Sequence, residues 1–502
     1  MTRLPLARTL DDALPFDKLR EECGVFAASG LEDAATYAVL ALHALQHRGQ
    51  EGAGIVTRQA GTGNAPAFHT HKAAGLVSDI FAAETDAVNG LPGDGVVGHV
   101  RYSTCGGDEM ANIQPLVQTM RLGTLALAHN GNLTNAATLR AAMIAKGEVF
   151  QTTSDTEVIL HLLAAAKSED IVEALQEALG QVEGAYSLAV LTSDAVIAVR
   201  DPAGVRPLVL GRIGEAWCVA SETCALESVS AEIVRDVEPG EIVMMDRAGL
   251  TTHRLAKRAA ERFCVFEYIY FLRANSAFAG RHAAHVRERI GAQLFRESHE
   301  PADVVIPVPE SGVHAAVGYA ETARLPFKYG ILKSAYIGRT FIEPSQSIRN
   351  FGVRLKLSVD RATVEGRRVL LVDDSIVRAN TMPKIVDMVR AAGAREVHVR
   401  IAAPPFRYPC FYGVDTPSRA ELSAANHSVE EIAEIVGADS LAYISLEGLK
   451  SAVAGSRKTG EPGLCHACFS GEYDVPLGDA GMRDELAGSE ARIASDLPVA
   501  AE

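Results

Sequence analysis

Two sets of residues in this chain have the types and spacing to do chemistry. The first gathers around Cys23 in Glu21-Glu-Cys-Gly-Val-Phe26. It is followed by His47-Arg-Gly-Gln-Glu-Gly-Ala-Gly54, Gly98-His-Val-Arg-Tyr-Ser-Thr104, His129-Asn-Gly-Asn-Leu-Thr-Asn135 and Thr153-Ser-Asp-Thr-Glu157. A cysteine standing alone is more often a small buried hydrophobe than a nucleophile. Here the polar clusters fall at the ends of predicted strands, where side chains can converge on a pocket. The second set is Val369-Leu-Leu-Val-Asp-Asp-Ser-Ile-Val-Arg-Ala-Asn-Thr381. An apolar strand stops at two adjacent carboxylates, a small polar loop follows, and a helix begins. Ligands of open parallel sheets sit beyond the carboxyl ends of strands. Loop amides and a helix N-terminus there offer positive dipole ends to a phosphate. Paired Asp residues suit ribose hydroxyls or a hydrated magnesium ion; the bland alternative is a helix cap beside a solvated acid.

Cysteine spacing adds a third candidate. Cys465 and Cys468 form a CxxC pair, while Cys264 and Cys410 stand apart in the sequence. Spacing alone leaves open whether the four meet. A tetrahedral zinc site is the generic reading, and a redox pair lacks the surroundings of a thioredoxin-like domain. Cys105, Cys218 and Cys224 read as packing residues.

The elements that must position these groups divide the chain in two. At 502 residues with 48% hydrophobic content, it is too long for one ordinary domain. Residues 23–255 read as many short strands with helices at 33–46, 135–146 and 155–167. The polar, basic run Thr251–Arg258 is the expected boundary. Beyond it, strands near 303–309 and 367–374 alternate with helices at 382–392 and 429–436, the pattern of a parallel sheet covered on both faces. The net charge of −15, with no dense basic block, argues against a nucleic-acid-binding surface. No apolar run is long enough to span a membrane. Residues 1–22 lack the apolar core of a secretory signal, so a cytosolic chain with reduced cysteines is expected.

In the order of its five motifs, the first half resembles the glutaminase domain of N-terminal-nucleophile amidotransferases. The Asp373–Thr381 segment resembles the phosphoribosyl-pyrophosphate signature of phosphoribosyltransferases, and Ile306-Pro-Val-Pro-Glu-Ser-Gly312 resembles their other active-site loop. Together, from Cys23 to about Tyr473, the chain resembles the amidophosphoribosyltransferase family, and the four cysteines resemble those of its iron–sulfur branch.

This resemblance implies a mixed α/β and α+β fold. A four-layer αββα glutaminase would occupy 23–255 and a phosphoribosyltransferase-type α/β domain 256–477. Residues 1–22 would form a removable propeptide and 478–502 a flexible tail. The implied reaction draws ammonia from glutamine at Cys23 and places it on C1 of phosphoribosyl pyrophosphate, which opens purine synthesis. An internal cysteine has only an amide beside it, whereas a freed α-amine with a pKa near ~8 can act as the base.

The resemblance assigns the oxyanion hole to Asn130 and Gly131, the glutamine carboxylate to Arg101 and its ammonium to Asp155. Phosphoribosyl pyrophosphate would meet Asp373, Asp374, Ser375, Arg378, Ala379, Asn380, Thr381, Ser311, Gly312, Lys333, Tyr336, Arg339 and Lys356. Magnesium would sit at Ser311, Asp373 and Asp374. A [4Fe–4S] cluster would sit on Cys264, Cys410, Cys465 and Cys468. Purine nucleotides are the implied inhibitors, and a homodimer or homotetramer the implied assembly.

Two departures stand out. Ala379 occupies a position where the family has glycine, and Phe271-Leu-Arg-Ala-Asn-Ser276 stands where Phe-Ala-Arg-Pro-Asp-Ser is usual. They keep a competing reading open, a sensor that binds the sugar phosphate without turnover.

Overall fold

The computed structural model of the chain describes residues 20–21, 23–60, 66–82, 86–102, 110–333, 357–416, 418–455 and 463–479. Two antiparallel sheets make up the first half. One runs in the order Glu232–Asp236, Val209–Ile213, Ala216–Ala220, Gly24–Ser29, Gly95–Arg101, Gly52–Gln59, Ala67–Ala74. The other runs Gly249–Arg254, Glu241–Asp246, Val196–Arg200, Gly184–Leu191, Gly123–Leu133, Leu116–Met120. Their facing surfaces pack small side chains, among them Val25, Ala27, Val97, Ala126, Ala128, Ala189 and Ala198. Alanine and valine at these positions let two sheets approach closely and fill the gap without voids.

Helix Ala34–Ala44 covers the outer face of the first sheet. Helices Thr156–Ala165 and Ile171–Leu179 cover the second. Helix, sheet, sheet and helix make the expected four layers. Strands Gly24–Ser29 and Gly184–Leu191 are buried along their whole length. They therefore read as continuous apolar runs rather than as alternating ones.

The second half is built on a parallel sheet in the order Val304–Pro307, Arg368–Asp373, Glu396–Ile401, Ser440–Tyr443. Helices Val313–Ala323 and Met382–Ala391 pack on it. Helix Ala283–Glu297 packs in turn against Val313–Ala323. The predicted strands and helices named above all form. Thr251–Arg254, the start of the expected boundary run, belongs to the exposed edge strand Gly249–Arg254. Its polar side chains are those of a strand with one neighbour and one open side.

The halves are joined through buried charge. Arg48 and Glu222 belong to the first half; Glu267 lies on a π-helical turn, Glu267–Phe271, that leads into the second. Arg48, with no exposed side-chain surface, donates from Nε to Glu222 and from Nη2 to Glu267 at 2.7 Å. Glu222 also accepts the Ser276 hydroxyl at 2.6 Å and the Arg273 amide at 2.9 Å. His47 lies 2.6 Å from Glu222, and Arg206 lies 3.4 Å from Glu267. Burial opposes the charged form of Glu222, but Arg48, and then His47 and Ser276, hold its carboxyl well below the usual carboxylate range.

A carboxylate with a depressed folded-state pKa stabilises the fold above its unfolded pKa, and that contribution is lost as pH falls through the folded value. Removing one partner of a buried pair strands the other charge. Glu222→Gln should therefore cost about 3–5 kcal/mol at neutral pH. In urea titrations across pH the deficit should shrink as pH drops below the carboxylate range. A deficit that is small, or independent of pH, would contradict this role.

Candidate active site

Cys23 stands at the mouth of the fully buried strand Gly24–Ser29 and is itself buried. Its N–H donates to the Arg48 carbonyl at 3.1 Å. Its thiol lies 3.8 Å from the Tyr102 carbonyl, just past the end of strand Gly95–Arg101. That strand ends on Arg101, which is also buried. The neighbouring strand in the same sheet, Gly52–Gln59, starts directly opposite it, with Gly52 in register with Arg101.

Across the sandwich, Asn130 sits on strand Gly123–Leu133 with no exposed surface. Neither its side-chain oxygen nor its nitrogen has a hydrogen-bond partner among the described residues. A buried amide left open in this way is costly unless a ligand completes it. Gly131 follows with φ of 143°, and a Cβ there would collide with the Ala185 carbonyl. Only glycine fits this close approach of two backbones.

Asp155 begins the helix that covers this sheet. Burial works against its charge, but His129 beside it, at 3.8 Å, and the Leu133 and Thr156 amides hold its carboxyl below the usual range. One of its oxygens accepts the Leu133 N–H at 2.9 Å. The loop before it is fastened by Glu157, which accepts the Gln151 and Thr152 amides at 2.7 Å each. His129 and His47 serve as scaffold, one beside Asp155 and the other on Glu222.

In the second half, strand Arg368–Asp373 ends as expected at the acid pair. The Ser311 hydroxyl lies 3.5 Å from Asp373 Oδ1, which also accepts the Asp374 amide at 2.9 Å. Ser375 donates to Asp374 at 2.6 Å. Gly312 starts helix Val313–Ala323, and Thr381 starts helix Met382–Ala391, so two helix N-termini flank the acid pair. Arg378 pairs with Glu421 at 3.1 Å near the surface. Lys333 ends the short strand Ile331–Lys333 with its side chain exposed. Tyr336, Arg339 and Lys356, assigned to the closing loop, lie outside the described residues.

Sequence reading missed Arg287. It is buried on helix Ala283–Glu297 and donates to the carbonyls of Tyr268, Tyr270 and Leu272 at 2.6–2.8 Å. Burial lowers its pKa to about 10, while the Asp374 carboxylate favours its charged form. One side chain thus grips the turn that carries Glu267 while it feels the charge of the acid pair. No motif announces it, because its partners are backbone carbonyls.

The four cysteines converge. Cys264 and Cys465 lie in register on two short parallel strands. The Cys468 carbonyl accepts the Arg407 and Tyr408 amides at 3.1 Å each, and Cys410 Sγ accepts the Tyr412 amide at 3.4 Å. Burial first, then the neighbouring cysteines, push the Cys264 and Cys468 thiols well above their usual range. Burial pushes Cys465 up to about 12. Arg206 opposes the shift at Cys264 and Cys465. Without a cation among them, burial and mutual repulsion thus favour the neutral thiols. Among the described residues no three His, Cys, Asp or Glu side chains form a single-ion site. The donor set, four soft sulfurs that are buried at Cys264 and half-buried at Cys410, Cys465 and Cys468, fits a cluster. Ser311, Asp373 and Asp374 offer the hard oxygens that suit magnesium.

Two family models match the chain, a glutamine amidotransferase domain over residues 99–228 and a phosphoribosyl transferase domain over residues 279–405. An amidophosphoribosyltransferase of Rhizobium etli is 46% identical, with 93% of this chain and 95% of that protein covered. The chain belongs to the amidophosphoribosyltransferase family. A Bacillus subtilis member is 45% identical over 91% of this chain and 95% of its own length. The solved structure of glutamine phosphoribosylpyrophosphate amidotransferase from B. subtilis, complexed with ADP and GMP, superposes with a TM-score of 0.84 at 44% identity, covering 91% of this chain and 98% of that one. The enzyme is a glutamine amidotransferase and pentosyltransferase. It moves ammonia from glutamine to C1 of phosphoribosyl pyrophosphate, giving phosphoribosylamine, pyrophosphate and glutamate, the first committed step of purine synthesis. The sensor reading finds no support in these relatives.

Ala379 has φ of 56°, the left-handed region that favours glycine. An L-residue there is strained by about 1 kcal/mol or more. Ala379→Gly should raise stability by about 1 kcal/mol and lower the KM for phosphoribosyl pyrophosphate, with kcat little changed. An unaltered KM would remove the phosphate loop from the explanation.

Proposed function

We propose that Cys23 becomes the N-terminus of the working enzyme by removal of residues 1–22 and is the nucleophile toward glutamine. Support comes from the hydrogen bond between its nitrogen and the Arg48 carbonyl. Once freed, the α-amine has an acceptor already in place to aim it. The amine takes the thiol proton, and the thiolate attacks the carboxamide carbon. The proton returns to the departing ammonia, leaving a γ-glutamyl thioester that water then hydrolyses. The negative charge that develops on the carboxamide oxygen falls to the Asn130 amide and the Gly131 N–H. The observation that carries this reading is the fully buried Asn130 amide with both polar atoms open. Arg101 takes the substrate carboxylate in a two-pronged contact and Asp155 its ammonium.

At the second site, Asp373 and Asp374 hold the ribose hydroxyls, while the loop Ser375–Thr381 and the N-terminus of helix Met382–Ala391 cradle the 5-phosphate. Ser311 and Gly312 face the pyrophosphate. Magnesium, when bound at Ser311, Asp373 and Asp374, supplies charge to balance the departing pyrophosphate. Lys333, with Tyr336, Arg339 and Lys356 of the closing loop, completes the phosphate contacts and excludes water from an activated C1. A [4Fe–4S] cluster on Cys264, Cys410, Cys465 and Cys468 pins the C-terminal segment to the core. Purine nucleotides act as feedback inhibitors, a reading supported by the ADP and GMP in the B. subtilis structure. The enzyme works as a homodimer or homotetramer in a reducing cytosol.

The test is magnesium-dependent pyrophosphate release from phosphoribosyl pyrophosphate, with ammonium or glutamine as donor, on anaerobically purified enzyme. Cys23→Ala, or a variant that retains residues 1–22, should keep the ammonium-dependent reaction and lose the glutamine-dependent one. Retained glutamine use would refute the free-amine mechanism. The same sample should carry iron and sulfide in equal amounts; stoichiometric zinc instead would refute the cluster.

A further inference from the structure

The C-terminal segment crosses back onto the first half and lands beside the oxyanion residues. Asn132, two positions past Asn130, donates from Nδ2 to the Phe411 carbonyl at 2.9 Å. Gly413, at φ of 105°, lies backbone to backbone on Gly131, so that a Cβ there would stand 3.0 Å from Gly131 Cα. Further on, the Thr134 hydroxyl donates to the Pro476 carbonyl at 2.8 Å, and the Asp479 N–H donates to the Thr134 carbonyl at 2.7 Å. The Asp479 carboxylate accepts the Ala137 and Thr138 amides at 2.7 and 3.1 Å, together with the Thr138 hydroxyl. It thereby caps helix Ala136–Ala145, whose own N-cap residue, Asn135, makes no side-chain cap bond.

These contacts hold both ends of a short stretch. Asn130 and Gly131 stand at its start, and a helix capped from outside stands at its end. Pairing with strand Gly184–Leu191 runs through Leu133, and residues hundreds of positions away in the chain add a second hold on the open side of that stretch. An oxyanion donor is effective only when its N–H is held on the oxygen's position, and small displacements forfeit much of its effect. Gly131 has no side chain to hold its own peptide in place, so its direction comes from its pairing with Tyr186 and from the Gly413 backbone packed on it.

We propose that Asn132 and Asp479 are positioning residues for glutamine cleavage. Through them the C-terminal segment holds the Gly131 N–H and the Asn130 amide on the developing oxyanion without touching glutamine. The inference rests on the reading of Asn130 and Gly131 as the oxyanion hole.

Asn132→Ala and Asp479→Ala are compared with the unaltered full enzyme in glutamine- and ammonium-dependent assays, with L-glutamate γ-semialdehyde as inhibitor. The semialdehyde adds to the Cys23 thiol. A sulfur–carbon bond forms, the carbonyl π bond opens onto oxygen, and that oxygen takes the thiol proton. The carbon is then tetrahedral, and its hydroxyl oxygen stands where the oxyanion would. Glutamine-dependent kcat should fall about tenfold in Asn132→Ala and about threefold in Asp479→Ala. The KM for glutamine and the ammonium-dependent rate should hold, and semialdehyde inhibition should weaken by the same factor as kcat.

A loss shared equally by the ammonium reaction, a rise in KM alone, or unweakened semialdehyde inhibition would overturn the proposal. Asp479→Asn, expected to show a smaller effect in the same direction, carries the test if an alanine variant fails to fold. Cys23→Ala checks the underlying reading separately. Glutamine use retained there would overturn that reading and this inference with it. Glutamine use lost there, with normal kinetics in the positioning variants, would overturn this inference alone.

Discussion

The constraint on which the rest of the structure depends is the buried charge of Arg48. Its guanidinium lies between Glu222 and Glu267, and its own carbonyl receives the nitrogen of Cys23. Three stretches that are remote in the chain are thereby held at one point: the strand of the nucleophile, the start of helix Thr223–Ser228, and the turn that opens the second half. A charge removed from water is tolerable only while its partners remain. The fold therefore cannot loosen at this junction without exposing or stranding an ion.

From that junction the structure reaches both ends of the reaction. In the proposed glutamine site, the Arg48 carbonyl accepts the N–H of Cys23, while Asn130 and Gly131 stand on the facing sheet. Toward phosphoribosyl pyrophosphate, Glu267 sits on the turn whose carbonyls Arg287 grips, and Arg287 feels the charge of Asp374. Arg206, paired with Glu267, also stands near the cysteines. Few of these groups touch a substrate. Their work is to make two sites on different folds parts of one solid.

Much of this was legible in the sequence, and for a physical reason. Strand-ending motifs such as Gly123–Leu133 and Arg368–Asp373 combine an apolar run with polar residues at the tip, so element and chemistry are written in the same few letters. The left-handed backbone at Ala379 was also visible, because its departure from glycine stands out against the family pattern. What escaped was long-range. Glu222, Glu267 and Arg287 look like ordinary charges until the fold buries them. That Thr251–Arg254 forms a strand was hidden in its polar composition, which an edge strand solvated on one side can carry. Asn132 and Asp479 bind backbone groups far away in the chain, and no local pattern encodes such a contact.

The central claim is that one chain joins glutamine cleavage to pyrophosphate displacement. Its most direct test follows glutamate and pyrophosphate together, using glutamine labelled with nitrogen-15 in the amide, with both substrates saturating and no added ammonium. One glutamate for each pyrophosphate, with the label in phosphoribosylamine, is the expected result. Glutamate released in large excess, with little label in that product, would mean that the two sites share a chain but not a reaction.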